Sequence, residues 1–243
     1  MKESKTKKRN LKGILGSIIY LLVCLGLGIF IGRFLGQNTS SEKEWGHIFF
    51  VFVFAMLTFY LSIILQTIVH EAGHLVCGLL TGYKFSSFRI GSFMWMKKNG
   101  KLQLKRYSLV GTGGQCLMAP PDLQDGKMPY RLYNMGGSLA NLLFSALCLL
   151  LYFICREYKY PALFLIICAI IGLFFALLNG IPMRIQNIDN DGYNALNLGK
   201  DTDAIKAIWL QLKINQEYSL GTRLKDLPEE WFVLPDKEDM QNP

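Results

Sequence analysis

Two histidines four residues apart, the first followed directly by a glutamate, stand in a long apolar run as His70-Glu71-Ala72-Gly73-His74. On a helix, positions i and i+4 share a face. Both imidazoles can then reach one metal ion while Glu71 stands beside them to handle a proton. This is the pattern of a zinc peptidase, whose metal takes three protein ligands and keeps a fourth position for water. The setting adds weight, because ionisable groups in an apolar helix cost on the order of a few kcal/mol to bury in a bilayer and are seldom carried there without a task.

The third ligand has few sources. No histidine follows His74, and the first carboxylate after Glu71 is Asp122, so a thermolysin-like glutamate soon after the pentad is excluded. The metzincin extension fails as well, since Cys77 and Leu80 stand where its Gly and His would be. Cys77 lies one turn beyond His74, where a thiol is more often packing than ligation. What remains is Asp189-Asn190-Asp191-Gly192, just beyond the last apolar block.

The elements that must position these groups are apolar helices. With 51% hydrophobic and 18% charged residues over 243 positions, the apolar residues fall into blocks, the mark of a polytopic membrane protein. Residues 1–12 carry six Lys or Arg ahead of an apolar stretch over 13–35. That stretch is longer than a signal-peptide core and lacks a small-x-small cleavage site, so it reads as an uncleaved anchor. Residues 47–80 form a second block of 34 residues, too long to cross a roughly 30 Å hydrocarbon core without tilting, bending or protruding. Blocks over 132–154 and 160–181, joined by a very short connection, predict a helical hairpin.

Between the second and third blocks the texture changes. Aromatic and basic residues mix, and Lys101 to Lys105 alternate after Asn99-Gly100, which predicts a β-hairpin at the membrane surface with an edge on which an extended substrate could pair. Residues 111–121 read as a loop ending in Pro120-Pro121. The expected class is therefore all-α and polytopic, with about four transmembrane helices and a β-hairpin insert. Its parts are a basic N-terminus, anchor and external loop (1–46), a core (47–200, insert 83–131) and a C-terminal cytoplasmic tail (201–243). In that tail Ala204, Ile205, Ile208, Trp209 and Leu212 repeat at helical spacing, as expected of a helix lying on the membrane or on its own domain.

The net charge of +8 tracks the membrane rather than nucleic acid. Six Lys or Arg precede the first block, nine lie between Tyr83 and Arg131 and seven follow Met183, against four elsewhere. The positive-inside rule then puts both termini and the hairpin in the cytoplasm, and the pentad and the aspartate cluster at one depth. A multi-pass protein of a bacterial plasma membrane is expected, with the bilayer as a partner and oligomeric state left open. The six cysteines show no CxxC spacing and predict neither a disulfide framework nor a thiolate zinc site.

Three motifs together resemble the site-2 protease family of intramembrane zinc metalloproteases: His70-Glu71-Ala72-Gly73-His74, Gly136-Gly137-Ser138-Leu139-Ala140-Asn141, and Asn179-Gly180-Ile181-Pro182 followed by Asp191-Gly192. The resemblance covers roughly residues 49–196. It implies zinc held by His70, His74 and Asp191, with Glu71 as the catalytic carboxylate. It also implies Asn141 facing the active site, where its amide could donate to a developing oxyanion, and a single-span membrane protein or membrane-inserted peptide as substrate. Two departures stand out. Ser138 replaces the family's usual Pro, and eight residues separate Pro182 from Asp191, longer than usual, which leaves Asp189 as a rival ligand. Gly192 favours Asp191, since freedom at positive φ would permit a tight turn directly after the ligand. The alternative function is a catalytically inactive zinc-binding relative acting as a binding or immunity protein. Retention of Glu71 argues against it, because a pure binder has no use for a proton shuttle.

Overall fold

The computed structural model describes residues 45–98, 101–107, 113–185 and 188–232, with six isolated positions between 25 and 33. The basic N-terminus, nearly all of the first apolar block and the Asn99-Gly100 turn lie outside the described residues. The rest forms two compact units, one of residues up to 77 with 129–198, the other of 78–128 with 199 onward.

The first unit is built on three helices: α1 (Trp45–Leu80), α2 (Arg131–Cys155) and α3 (Lys159–Gly180). Each is long and apolar enough to cross a membrane. α1, at 36 residues, is about 54 Å long. It stops where Gly82 takes φ 84°, letting the Tyr83 amide reach Gly78 O and the Gly82 amide reach Leu79 O, which satisfies two otherwise orphaned carbonyls. In α3, Pro161 sits in the first turn, where no amide hydrogen is missed. The helix ends at Gly180 because Pro182 forces Ile181 into extended backbone.

The distribution of polarity in this unit is inverted relative to a water-soluble bundle. Thr58, Ser62, Gln66, His70 and His74 make a buried stripe at four-residue spacing on α1, met by Asn141 of α2, on which Ser138 and Ser145 are also buried. Leu143, Leu150, Ile154, Phe49, Phe52 and Leu57 are exposed. Small polar side chains at helix contacts and large apolar ones outside suit a lipid environment. The apolar core lies between α1 and α3, where Ala55, Leu163, Ile167 and Ile171 pack with Phe54, Phe59 and Phe175.

Past Pro182 the chain makes a minimal hairpin, β5 (Arg184–Ile185) and β6 (Ile188–Asp189), and enters the short helix α4 (Asp191–Asn197).

The second unit holds four antiparallel strands, β1 (Lys84–Ile90), β2 (Phe93–Lys98), β3 (Lys101–Arg106) and β4 (Gly114–Ala119), in the order β3-β2-β1-β4. The lone hairpin of the sequence reading is thus a sheet. β1 and β4 were hidden because β1 carries a bulge between Phe85 and Ser87 that breaks its alternation, and β4 follows a glycine-rich lead and runs into Pro120-Pro121. Residues 114–119, expected as loop, pair with β1 along its length. The last helix, α5 (Thr202–Leu220), packs on this sheet. Trp209 Nε1 donates to Pro121 O at 2.9 Å and Lys213 Nζ to Asp122 Oδ1 at 2.7 Å, and Lys213 holds the Asp122 carboxyl below its ordinary range. The expected tail is therefore, over 201–232, part of the insert's own unit, because the apolar stripe around a buried Ile205 is covered there.

Candidate metal centre

The site is assembled by three helices of the first unit. His70 and His74 project from one face of α1, and their Nε2 atoms lie 3.2 Å apart. Asp191, the first residue of α4, brings Oδ2 to 3.1 Å from His70 Nε2 and 3.3 Å from His74 Nε2. All three candidate ligand atoms fall within 4.8 Å of one another. This group could hold a metal ion, and among the described residues Asp189 is not part of it. The Asp189 carboxylate is engaged on both oxygens by the Arg184 guanidinium, whose Cζ lies over the Tyr193 ring, 4.8 Å from its centre.

Hydrogen bonds behind the imidazoles fix which nitrogen faces the centre. His74 Nδ1 lies 2.8 Å from Tyr133 O, which can only accept, so Nδ1 carries a proton and, in the neutral ring, Nε2 is bare. For His70 the same conclusion follows through a longer chain. Gln66 Nε2 donates to Cys168 O at 2.9 Å, which sets Gln66 Oε1 as an acceptor. Asn141 Nδ2 donates both to Gln66 O at 2.9 Å and to Gln66 Oε1 at 2.7 Å, leaving Asn141 Oδ1 to accept from His70 Nδ1 at 2.8 Å. Gln66 and Asn141 are both 0% exposed, so no water competes for these positions.

The consequence is electrostatic. Two bare imidazole nitrogens and one carboxylate oxygen converge on a point, and Asp191 Oδ2 is buried with no hydrogen-bond donor of its own. Three lone pairs brought this close need a cation or a proton between them, and this donor set of two nitrogens and one oxygen fits a divalent metal. Burial alone would push the Asp191 carboxyl up; with no metal between them, a proton carried on His70 or His74 Nε2 would outweigh that and hold it down to about 2.

Close backbone approach makes the geometry possible. A Cβ on Gly137 would strike the His70 ring, and Gly73 and Gly136 meet backbone to backbone, so α1 and α2 touch where the imidazoles leave α1. Gly192 works in the same way: a Cβ there would run into Gly180 O. It is not among the glycines at positive φ, so the turn expected of it is replaced by a contact of α4 with the end of α3. Cys77 lies against Gly136 and is not in the ligand group.

No family model, curated protein or solved structure matches this chain.

Of the residues singled out in the sequence, His70, His74 and Asp191 come together, and Glu71 is buried one residue along from His70. Asn141 is adjacent but differently employed. Its amide nitrogen is engaged twice by Gln66, so in this arrangement it positions His70 and has no donor left for an oxyanion. Asn179 turns back to Phe175 O at 3.0 Å and stays outside the centre.

The hydrogen-bonding roles of two further residues were not legible in the sequence. Gln66 carried a signal, a buried amide one turn before His70 in an apolar run. Asn190 carried a weaker one, since its neighbours drew attention. Its Nδ2 donates to Leu178 O (2.8 Å) and Ile181 O (2.6 Å), while its Oδ1 accepts from the Met183 amide (2.9 Å) and the Tyr193 amide (2.9 Å). One side chain thus ties the end of α3 to the start of α4, directly before Asp191.

Proposed function

We propose that this chain is an intramembrane zinc metalloprotease of the site-2 type, hydrolysing peptide bonds in or near transmembrane segments of membrane proteins or membrane-inserted peptides. The observation that carries the reading is the convergence of His70, His74 and Asp191 within 4.8 Å, with Glu71 beside His70 on a helix long and apolar enough to cross a membrane.

Zinc at such a centre supplies Lewis-acid chemistry, lowering the pKa of water and polarising a carbonyl. The chain does the rest. Glu71 accepts the proton of the attacking water and returns it to the departing amine. Asn141 and Tyr133 O keep both imidazoles in the Nδ1–H form that leaves Nε2 for metal. His70, Glu71 and His74 are all buried, so fixed charges act strongly on one another there. A helical substrate hides its peptide bonds in hydrogen bonds and must unwind locally before any of this applies.

In this reading the three apolar helices join the stretch over 13–35 as four spans, with both termini and the sheet in the cytoplasm. The experiment is incubation of the purified protein with a panel of single-span substrates, with and without a chelator. Cleavage that the chelator abolishes and zinc restores is expected. Stoichiometric metal with no cleavage of any substrate would instead support the non-enzymatic relative.

A further inference from the structure

The β2–β3 hairpin carries an exposed face that no part of the proposed chemistry uses. The register pairs Phe93 with Arg106, Trp95 with Leu104 and Lys97 with Leu102, and directly paired residues of antiparallel strands point to the same side. One face therefore presents Phe93, Trp95, Leu102 and Leu104 between Lys97 and Arg106. Leu102 is 63% exposed, Leu104 57% and Phe93 50%. The opposite face adds Lys98, Lys101 and Lys105, and all six residues of β3 are exposed.

The charge is of one sign. From Ala72 to Pro121 the chain holds no Asp or Glu, and among the described residues no carboxylate pairs with Lys97, Lys98, Lys101, Lys105 or Arg106. The Arg106 guanidinium lies over the Phe93 ring, 5.9 Å from its centre. Bulky apolar side chains flanked by long cationic ones suit the headgroup layer of a bilayer, with carbon in the acyl boundary and charge at the phosphates.

We propose that this hairpin binds anionic lipid headgroups with the Phe93/Trp95/Leu102/Leu104 face turned into the bilayer. Cations on both faces of one strand layer stay within about 8–10 Å of the lipid surface, close enough to act. The apolar helix α1 ends four residues before β1 begins, so the hairpin is carried on a short tether from a segment long enough to span. A second copy is a poorer occupant. Pairing β3 edge to edge would set Lys101 and Lys105 against like charges, the arrangement that protects edge strands from association. An acidic polypeptide would answer the charge but leave the apolar residues uncovered. The inference rests on the membrane reading above, and neither zinc nor hydrolysis enters it.

The test uses full-length Glu71→Gln protein, stripped of metal, in nanodiscs of phosphatidylcholine alone or mixed with phosphatidylglycerol. An environment-sensitive fluorescent amino acid replaces Leu102, with a control label at the exposed Asn215 on α5. The expected result is brighter, blue-shifted emission from position 102 in the anionic nanodiscs only. Concentrated salt should reverse it, glutamine at the five cations should remove it, and position 215 should not respond. Equal emission in both lipids, or a shift that survives salt, overturns the proposal, and the salt arm needs no variant that might misfold. A shift produced by added polyglutamate in phosphatidylcholine but not by phosphatidylglycerol overturns it in favour of an acidic polypeptide. Failure of the chain to enter nanodiscs at all overturns the membrane reading itself.

Discussion

Asp189 and Asp191 are two residues apart, and side-chain geometry gives them separate tasks. Asp191 completes the His70/His74 group, whereas Asp189 is held by Arg184 at the hairpin that leads into α4. Asp191→Ala is expected to remove metal, because two imidazoles alone are too few for a catalytic zinc site, while Asp189→Ala retains most of it. Metal content per mole of each purified variant decides the assignment, and the opposite pattern would place the ligand two residues earlier. Asn141→Leu should keep the ligands but release His70 from its fixed tautomer, lowering zinc affinity roughly 10–100-fold, the usual effect of losing a partner that orients a ligand. Competition with a chromophoric chelator measures it. The His70/His74 pair was legible because metal ligation needs fixed residue types at fixed spacing, whereas Asp191 was reached only through the family resemblance, with Asp189 beside it as a rival. The role of Asn141 was not legible, since both the expected oxyanion donor and the observed hydrogen-bond acceptor require the same amide, and only the position of Gln66 distinguishes them.

At the scale of elements, the centre depends on how α3 hands over to α4. Asn190 donates to the carbonyls of Leu178 in α3 and Ile181 just beyond it and accepts from the Met183 and Tyr193 amides, so it is more than an N-cap. Asp is as good an N-cap as Asn, so a pure capping role predicts that Asn190→Asp is harmless. The observed bonds predict otherwise. The variant loses both donors and sets a carboxylate against Leu178 O and Ile181 O, which should loosen Asp191 and lower zinc affinity by about tenfold or more. Chelator competition together with the helical circular dichroism signal separates this from unfolding. Unchanged affinity would reduce Asn190 to a cap. Long apolar blocks revealed the three described membrane-length helices, whereas the sheet was only half visible: β2 and β3 alternate around Asn-Gly, but β1 is bulged and β4 follows glycines. Gly137 and Gly192 likewise looked like ordinary small residues until their neighbours, the His70 ring and Gly180 O, were in place.

For the whole molecule, the proposed topology, with both termini and the sheet in the cytoplasm, rests on charge asymmetry. Labels at position 40 should react from outside intact cells, and labels at position 99 only after permeabilisation, because loops rich in Lys and Arg stay in the cytoplasm. The reverse order would refute the charge argument. What the sequence could not reveal at this scale is that the C-terminal segment folds with the insert, since an amphipathic stripe is equally suited to lipid or to a sheet, and Trp209 reaching Pro121 O is a contact between residues 88 positions apart. The claim on which the whole account turns is that a metal centre and a neighbouring carboxylate act together in hydrolysis. The most direct measurement is zinc stoichiometry and substrate cleavage on the same preparation of Glu71→Gln beside the unaltered protein. One zinc per chain is expected in both, with cleavage by the variant lower by at least the ~10²–10⁴-fold typical of a lost proton acceptor. Equal zinc with cleavage near the unaltered rate would contradict it.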